Sequence, residues 1–110
     1  MSDTTTERVR MTMRPPVILA KEEWPLIASA SKKTDFRSWF LRVREHTDKD
    51  KGCIVYGWFE TSWRSERPAY AGYLCSREAV PTTLRQVGHE VGAPDHVVND
   101  AIADLPADRL

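Results

Sequence analysis

Residues 38–61 read SWFLRVREHTDKDKGCIVYGWFET. Two runs rich in β-branched and aromatic residues, 38–46 and 52–61, flank the polar segment Thr47-Asp48-Lys49-Asp50-Lys51, which Gly52 closes. Such runs around turn formers predict an antiparallel hairpin. With His46 opposite Cys53, one face collects Trp39, Leu41, Val43, Ile54, Tyr56 and Trp58, and that face is almost wholly apolar. The other then holds Phe40, Arg42, Arg44, His46, Cys53, Val55, Gly57 and Phe59. A slip of one residue mixes arginines into the apolar set, so the pattern predicts this register.

Upstream, residues 8–14 alternate strictly between polar and apolar, placing Val9, Met11 and Met13 on one face of a strand. Pro15 and Pro16 end it, because neither can donate to a ladder. Residues 1–7 are polar and Thr-rich, and are expected to be a disordered tail. Pro25 argues against a long helix in 17–33, and the alternation after it predicts a strand over 25–31.

Downstream, 63–68 is a charged turn closed by Pro68, and 69–75 is a strand carrying Tyr70 and Tyr73. The period changes after Val80. Thr83 and Gln86 have the spacing of a capping box, and Leu84, Val87, Gly88 and Val91 recur at helical intervals. Gly92 is placed to stop that helix, and Pro94 to start another carrying Val97, Val98, Ala101, Ile102 and Leu105. Helices are therefore expected over 83–91 and 94–105. The whole predicts one α+β domain over 8–110: an antiparallel sheet of about four strands, its strands drawn from 8–14, 25–31, 38–46, 52–61 and 69–75, with a C-terminal helical hairpin packed on one face.

Composition excludes several functions. The 110 residues are 41% hydrophobic and 29% charged, a globular balance. Net charge is zero, so the molecule as a whole lacks an electrostatic case for nucleic acid or anionic lipid. The charge is uneven: residues 1–67 hold 13 Lys/Arg against 10 Asp/Glu, residues 68–110 hold 3 against 6, giving +3 and −3. Cys53 and Cys75 form no CxxC pair, and His46, His89 and His96 are dispersed, so neither a metal nor a cofactor is expected. Both cysteines lie in apolar stretches and read as buried thiols. GxSxG, Walker and GxGxxG motifs are all missing, which predicts a protein that is not an enzyme. No apolar run approaches the ~20 residues of a membrane span, and the N-terminus lacks a signal-peptide core, so a cytoplasmic location is expected.

Two surfaces could bind. Phe40, Arg42 and Arg44 form an aromatic and cationic stripe that suits protein contacts, stacked bases or a plain solvated face. Trp63, Arg64 and Arg67 put interface-type residues in a turn that needs only small turn formers. The leading expectation is a non-enzymatic protein that acts through protein–protein contacts at these six residues. The alternative is a nucleic-acid-binding or transcription-regulating module using Arg42 and Arg44 or the 84–102 hairpin.

Two resemblances accompany this reading. Gly88, Gly92, Val87, Val91, Ala93, Val98 and Ala101, within 85–102, resemble the helix-turn-helix of bacterial repressors, over about 20 residues. The second helix departs from that family: it offers Asp95, His96, Asn99, Asp100 and Asp104 with no Lys or Arg, and carboxylates oppose phosphate binding. The phrases EWPLIASA (23–30), LRVREH (41–46) and IVYG (54–57) resemble small uncharacterised bacterial proteins, some of them from mobile elements. That likeness implies a bacterial accessory protein and carries no activity; the binding protein expected above would then act as a mobile-element accessory or as an inhibitor of a host system.

Overall fold

The computed structural model describes Arg8–Arg10, residues 22–63, Ser65 and residues 67–106. Strands β1 (Arg8–Arg10), β2 (Leu26–Lys33), β3 (Arg37–Glu45), β4 (Cys53–Thr61) and β5 (Ala69–Cys75) precede helices α1 (Val80–Val91) and α2 (Asp95–Ala103). All pairings are antiparallel, in the order β1-β5-β4-β3-β2, so β2 to β5 form a meander and the short β1 joins its far edge. The α+β class and the C-terminal helical pair are as the sequence predicts. The tail over 1–7, residues 11–21 with Met11, Met13 and the two prolines, and residues 107–110 lie outside the described residues.

Both helices cover one face of the sheet. Leu41, Val43, Cys53, Val55, Phe59, Ala71 and Tyr73 meet Val80, Leu84, Val87 and Val91 of α1 and Val97, Val98 and Ala101 of α2 in one buried cluster. Burying apolar area of this kind is the main favourable term holding such a domain together. Gly88 lets the helices approach, since a Cβ there would lie 2.3 Å from Val98 Cγ2. Gly92 takes the left-handed conformation (φ 72°) that ends α1, with the Ala93 N–H donating to the Gly88 carbonyl at 2.8 Å. Asp104, just past α2, accepts from the Ser29 N–H at 2.9 Å and so covers part of the β2 edge.

The hairpin register differs from the predicted one by a residue. Glu45 stands opposite Cys53, Val43 opposite Val55 and Leu41 opposite Gly57. Leu41 and Val43 are inside as expected, but Cys53, Val55, Gly57 and Phe59 join them, while Ile54, Tyr56 and Trp58 turn to the other face. Two local causes fix this. The turn ends one residue earlier on the β4 side than the predicted pairing requires: Asp48 caps the one-turn 3₁₀ helix Lys49–Lys51, and Gly52 (φ 85°) rather than Cys53 meets His46, its carbonyl accepting from the His46 N–H at 3.0 Å. Gly57 must also face the helices. A Cβ there would sit 2.6 Å from Leu41 Cδ2, 2.7 Å from the Phe40 carbonyl oxygen and 3.0 Å from Val87 Cγ1. Gly57→Ala is therefore expected to destabilise the fold by about 1–3 kcal/mol, because the backbone oxygen cannot swing aside. A urea unfolding midpoint unchanged from wild type would refute this packing.

The start of α1 also differs. The helix begins at Val80, with Pro81 in its first turn, so Thr83 lies inside it and is no cap. The Thr83 hydroxyl donates to the Ala79 carbonyl at 2.7 Å and is fully buried. Pro81 supplies the start signal: its ring needs no intrahelical N–H partner there. Likewise Pro94 is the residue before α2 (ψ 150°) rather than its first helical residue.

Candidate functional site

The corrected register makes the sheet face away from the helices aromatic rather than simply polar. Phe40 and Trp58, directly opposite across β3 and β4, stack with centroids 4.8 Å apart and 18° between planes. Tyr56 and Trp58 are near-parallel at 6.1 Å. The Arg42 guanidinium carbon lies 5.0 Å from the Trp58 ring centroid, a cation–π distance, and Trp58 Nε1–H donates to Glu60 at 2.8 Å. Phe40, Arg42 and Trp58 are each half-buried. The apolar pattern of the sequence predicts Trp58 in the core; it is instead the centre of this outer stack.

Arg44 shares that face but is not a surface cation. Only 9% of it is exposed. Its Nε donates to the Tyr56 hydroxyl and its Nη1 to the Trp24 carbonyl, both at 3.0 Å. Tyr56 is fully buried. The pair ties the segment before β2 onto the outer face, where Trp24 also meets His46 edge-on at 4.7 Å. A buried guanidinium must keep such partners, since leaving it unpaired is costly. Arg44 therefore has a structural use, which removes it from the binding stripe.

The second surface lies at the end of the sheet where the β2–β3 and β4–β5 turns meet. Ser62 N–H donates to the Phe36 carbonyl at 2.9 Å, fastening one turn to the other. This brings the Trp63 and Phe36 rings into an edge-to-face contact, 5.3 Å between centroids and 78° between planes. Phe36 is 55% exposed and Trp63 50%, and they are two of only three large hydrophobic residues so exposed among the described residues. Trp63 Nα–H donates to the Thr61 hydroxyl, fixing the start of the turn. Arg67 is exposed in the same turn, and Arg64 lies outside the described residues.

Sequence reasoning found Trp63 and missed Phe36. The available signal was the same for both: a large ring within a polar turn segment, here Lys33-Thr34-Asp35-Phe36-Arg37.

Other chemistry is sparse. Among the described residues no group of three or more His, Cys, Asp or Glu could hold a metal ion. His89 and His96 are exposed, and His46 Nδ1 accepts from the Asp48 N–H at 2.8 Å. Glu90 accepts from the Tyr73 hydroxyl and from the Gln86 amide, which holds its carboxylate at the end of α1. No helix among the described residues is long and apolar enough to cross a membrane. No family model, curated protein or solved structure matches the chain.

Proposed function

We propose that this protein is a non-enzymatic binding module that docks a partner protein through the Phe36–Trp63 pair. The observation that carries the reading is the contact between those two exposed rings. A single exposed apolar side chain is ordinary on any protein. Two from separate turns, locked edge-to-face, form a small preorganised anchor of a residue type that dominates interface energetics. Arg67, exposed later in the same turn as Trp63, adds a guanidinium, and Arg42 on Trp58 offers a second contact region along the outer face. The phrases at 23–30, 41–46 and 54–57 support a bacterial accessory role.

Capture from the native host with wild-type protein, followed by titration of the purified complex, tests the site. Trp63→Ala is expected to weaken that complex by about 2 kcal/mol, roughly thirtyfold in Kd. The same substitution should cost less than about 1.5 kcal/mol of stability, because it removes one half-exposed ring contact. Equal affinity in the mutant, or a mutant that no longer folds, counts against the anchor.

The nucleic-acid reading rests on one observation, the Arg42–Trp58–Phe40 stack, since arginine and aromatic faces also bind bases. Several features oppose it. Trp58 is already stacked against Phe40 and Arg42, Arg44 is turned to internal partners, and the exposed side of α2 carries Asp95 and Asp100, with Asp104 just past its end. A fluorescence titration with single- and double-stranded oligonucleotides is expected to show no binding at physiological salt. Micromolar affinity that falls steeply with salt would reverse the order of the two readings.

A further inference from the structure

Cys53 and Cys75 are 22 positions apart in the chain, counted from their numbers, yet stand directly opposite each other on β4 and β5. Both belong to the buried cluster on the helix-covered face, and no disulfide joins them. Residues facing each other across an antiparallel pair have Cα atoms about 4.5 or 5.5 Å apart, depending on the hydrogen-bonding position. Either spacing falls in the roughly 4.4–6.8 Å range that a disulfide spans. The two side chains also leave the sheet on the same face, as a bridge requires. We propose that this dithiol is a modification site: a low-molecular-weight disulfide oxidises Cys53 and Cys75 to an intrachain cross-strand bridge that staples the base of the hairpin carrying Trp63.

The chemistry closes with glutathione disulfide as the oxidant. Cys75, the slightly more exposed of the two residues, loses its proton to solvent and attacks one sulfur of the oxidant. That forms a mixed disulfide and expels one glutathione thiolate. Cys53 then loses its proton and attacks Cys75 Sγ, forming the bridge and expelling the second glutathione thiolate. Two protein thiols are oxidised by two electrons, one glutathione disulfide is reduced to two thiols, and the protons lost are taken up by the leaving thiolates. Burial of both sulfurs makes the exchange slow in the closed fold, so it proceeds through local opening at the β5 side of the sheet.

The test compares how readily the bridge forms in the folded and the unfolded chain. Purified protein is equilibrated in buffers of set glutathione ratio, with and without 6 M guanidinium, and the fraction bridged is read by alkylation and mass spectrometry. Equilibrium is approached from both sides, using reduced protein and protein bridged beforehand in denaturant. If the fold presents the sulfurs in bonding register, the bridging constant in native buffer should exceed that in denaturant by at least tenfold. The ceiling is roughly 300-fold, the loop-closure gain for a segment of this length. The bridged form should correspondingly melt several degrees higher. A native constant equal to or below the denatured one overturns the proposal, as does oxidation that yields only mixed disulfides or linked dimers. Cys53→Ala and Cys75→Ala identify those last products, because each single variant can form nothing else.

Discussion

Leu41→Ala is expected to destabilise the fold by about 2–5 kcal/mol, enough to threaten folding of a domain this size. Leu41 is fully buried, centred in β3 between Ala30 on one neighbouring strand and Gly57 on the other. Neither neighbour can expand into the space that its truncation leaves. The site should therefore collapse poorly and fall in the upper half of that range. The pairing with Gly57 makes a sharper forecast. Leu41 Cδ2 is the nearest atom to the Cβ that Gly57 lacks, so the two truncated or enlarged positions share one space. In a double-mutant cycle, Gly57→Ala should cost less in the Leu41→Ala background than in wild type, by 0.5 kcal/mol or more. Part of the penalty will remain, because the Phe40 carbonyl stays in place. Urea denaturation of the four proteins reads all the terms. A Leu41→Ala cost under about 1 kcal/mol would place Leu41 outside the core, and with it the register.

That register marks the limit of what the sequence could show. The strands and helices were legible because their periods differ: 38–46 and 69–75 read as strands, and Leu84, Val87 and Val91 read as a helix face. The facing of β4 was not. Along Cys53-Ile54-Val55-Tyr56-Gly57-Trp58-Phe59 both alternating sets are apolar, so hydrophobicity cannot choose between them. The choice is made by the turn geometry at Gly52 and by the close approach of Leu41 and Val87 over Gly57, neither of which has a period. The error then spread to the candidate site. The outer face predicted to set arginines beside Phe40 and Phe59 instead sets them beside Phe40, Trp58 and Tyr56, and this is why Arg44 has a buried hydroxyl to bond. The Phe36–Trp63 contact was hidden for another reason. The rings are 27 positions apart by number, and only the meander folds their two turns together.

Raising the pH should expose the cost of burying Cys53. The fully buried thiol is pushed from 9.0 up to about 12, first by loss of hydration and then by the charge of Glu45 across the strand pair. Cys75 and Glu78 add to the rise, while Arg77 opposes it. The folded state thus holds this proton more tightly than the unfolded chain. Below pH 9 both states are protonated, and the thiol makes stability independent of pH. Between about 9 and 12 the unfolded chain has lost the proton while the fold keeps it, so stability falls as pH rises. The slope approaches 1.4 kcal/mol per pH unit, or about 3 kcal/mol lost by pH 11 from this group alone. Lysines and tyrosines titrate in the same window, so the comparison must be with Cys53→Ala under reducing conditions. That variant should start less stable at pH 8, having lost a packed sulfur, and then decline less steeply than wild type. The two stability curves should converge by about 3 kcal/mol between pH 8 and pH 11. Parallel curves would mean that the Cys53 thiolate is tolerated in the folded state, through water or a cation reaching the base of β4.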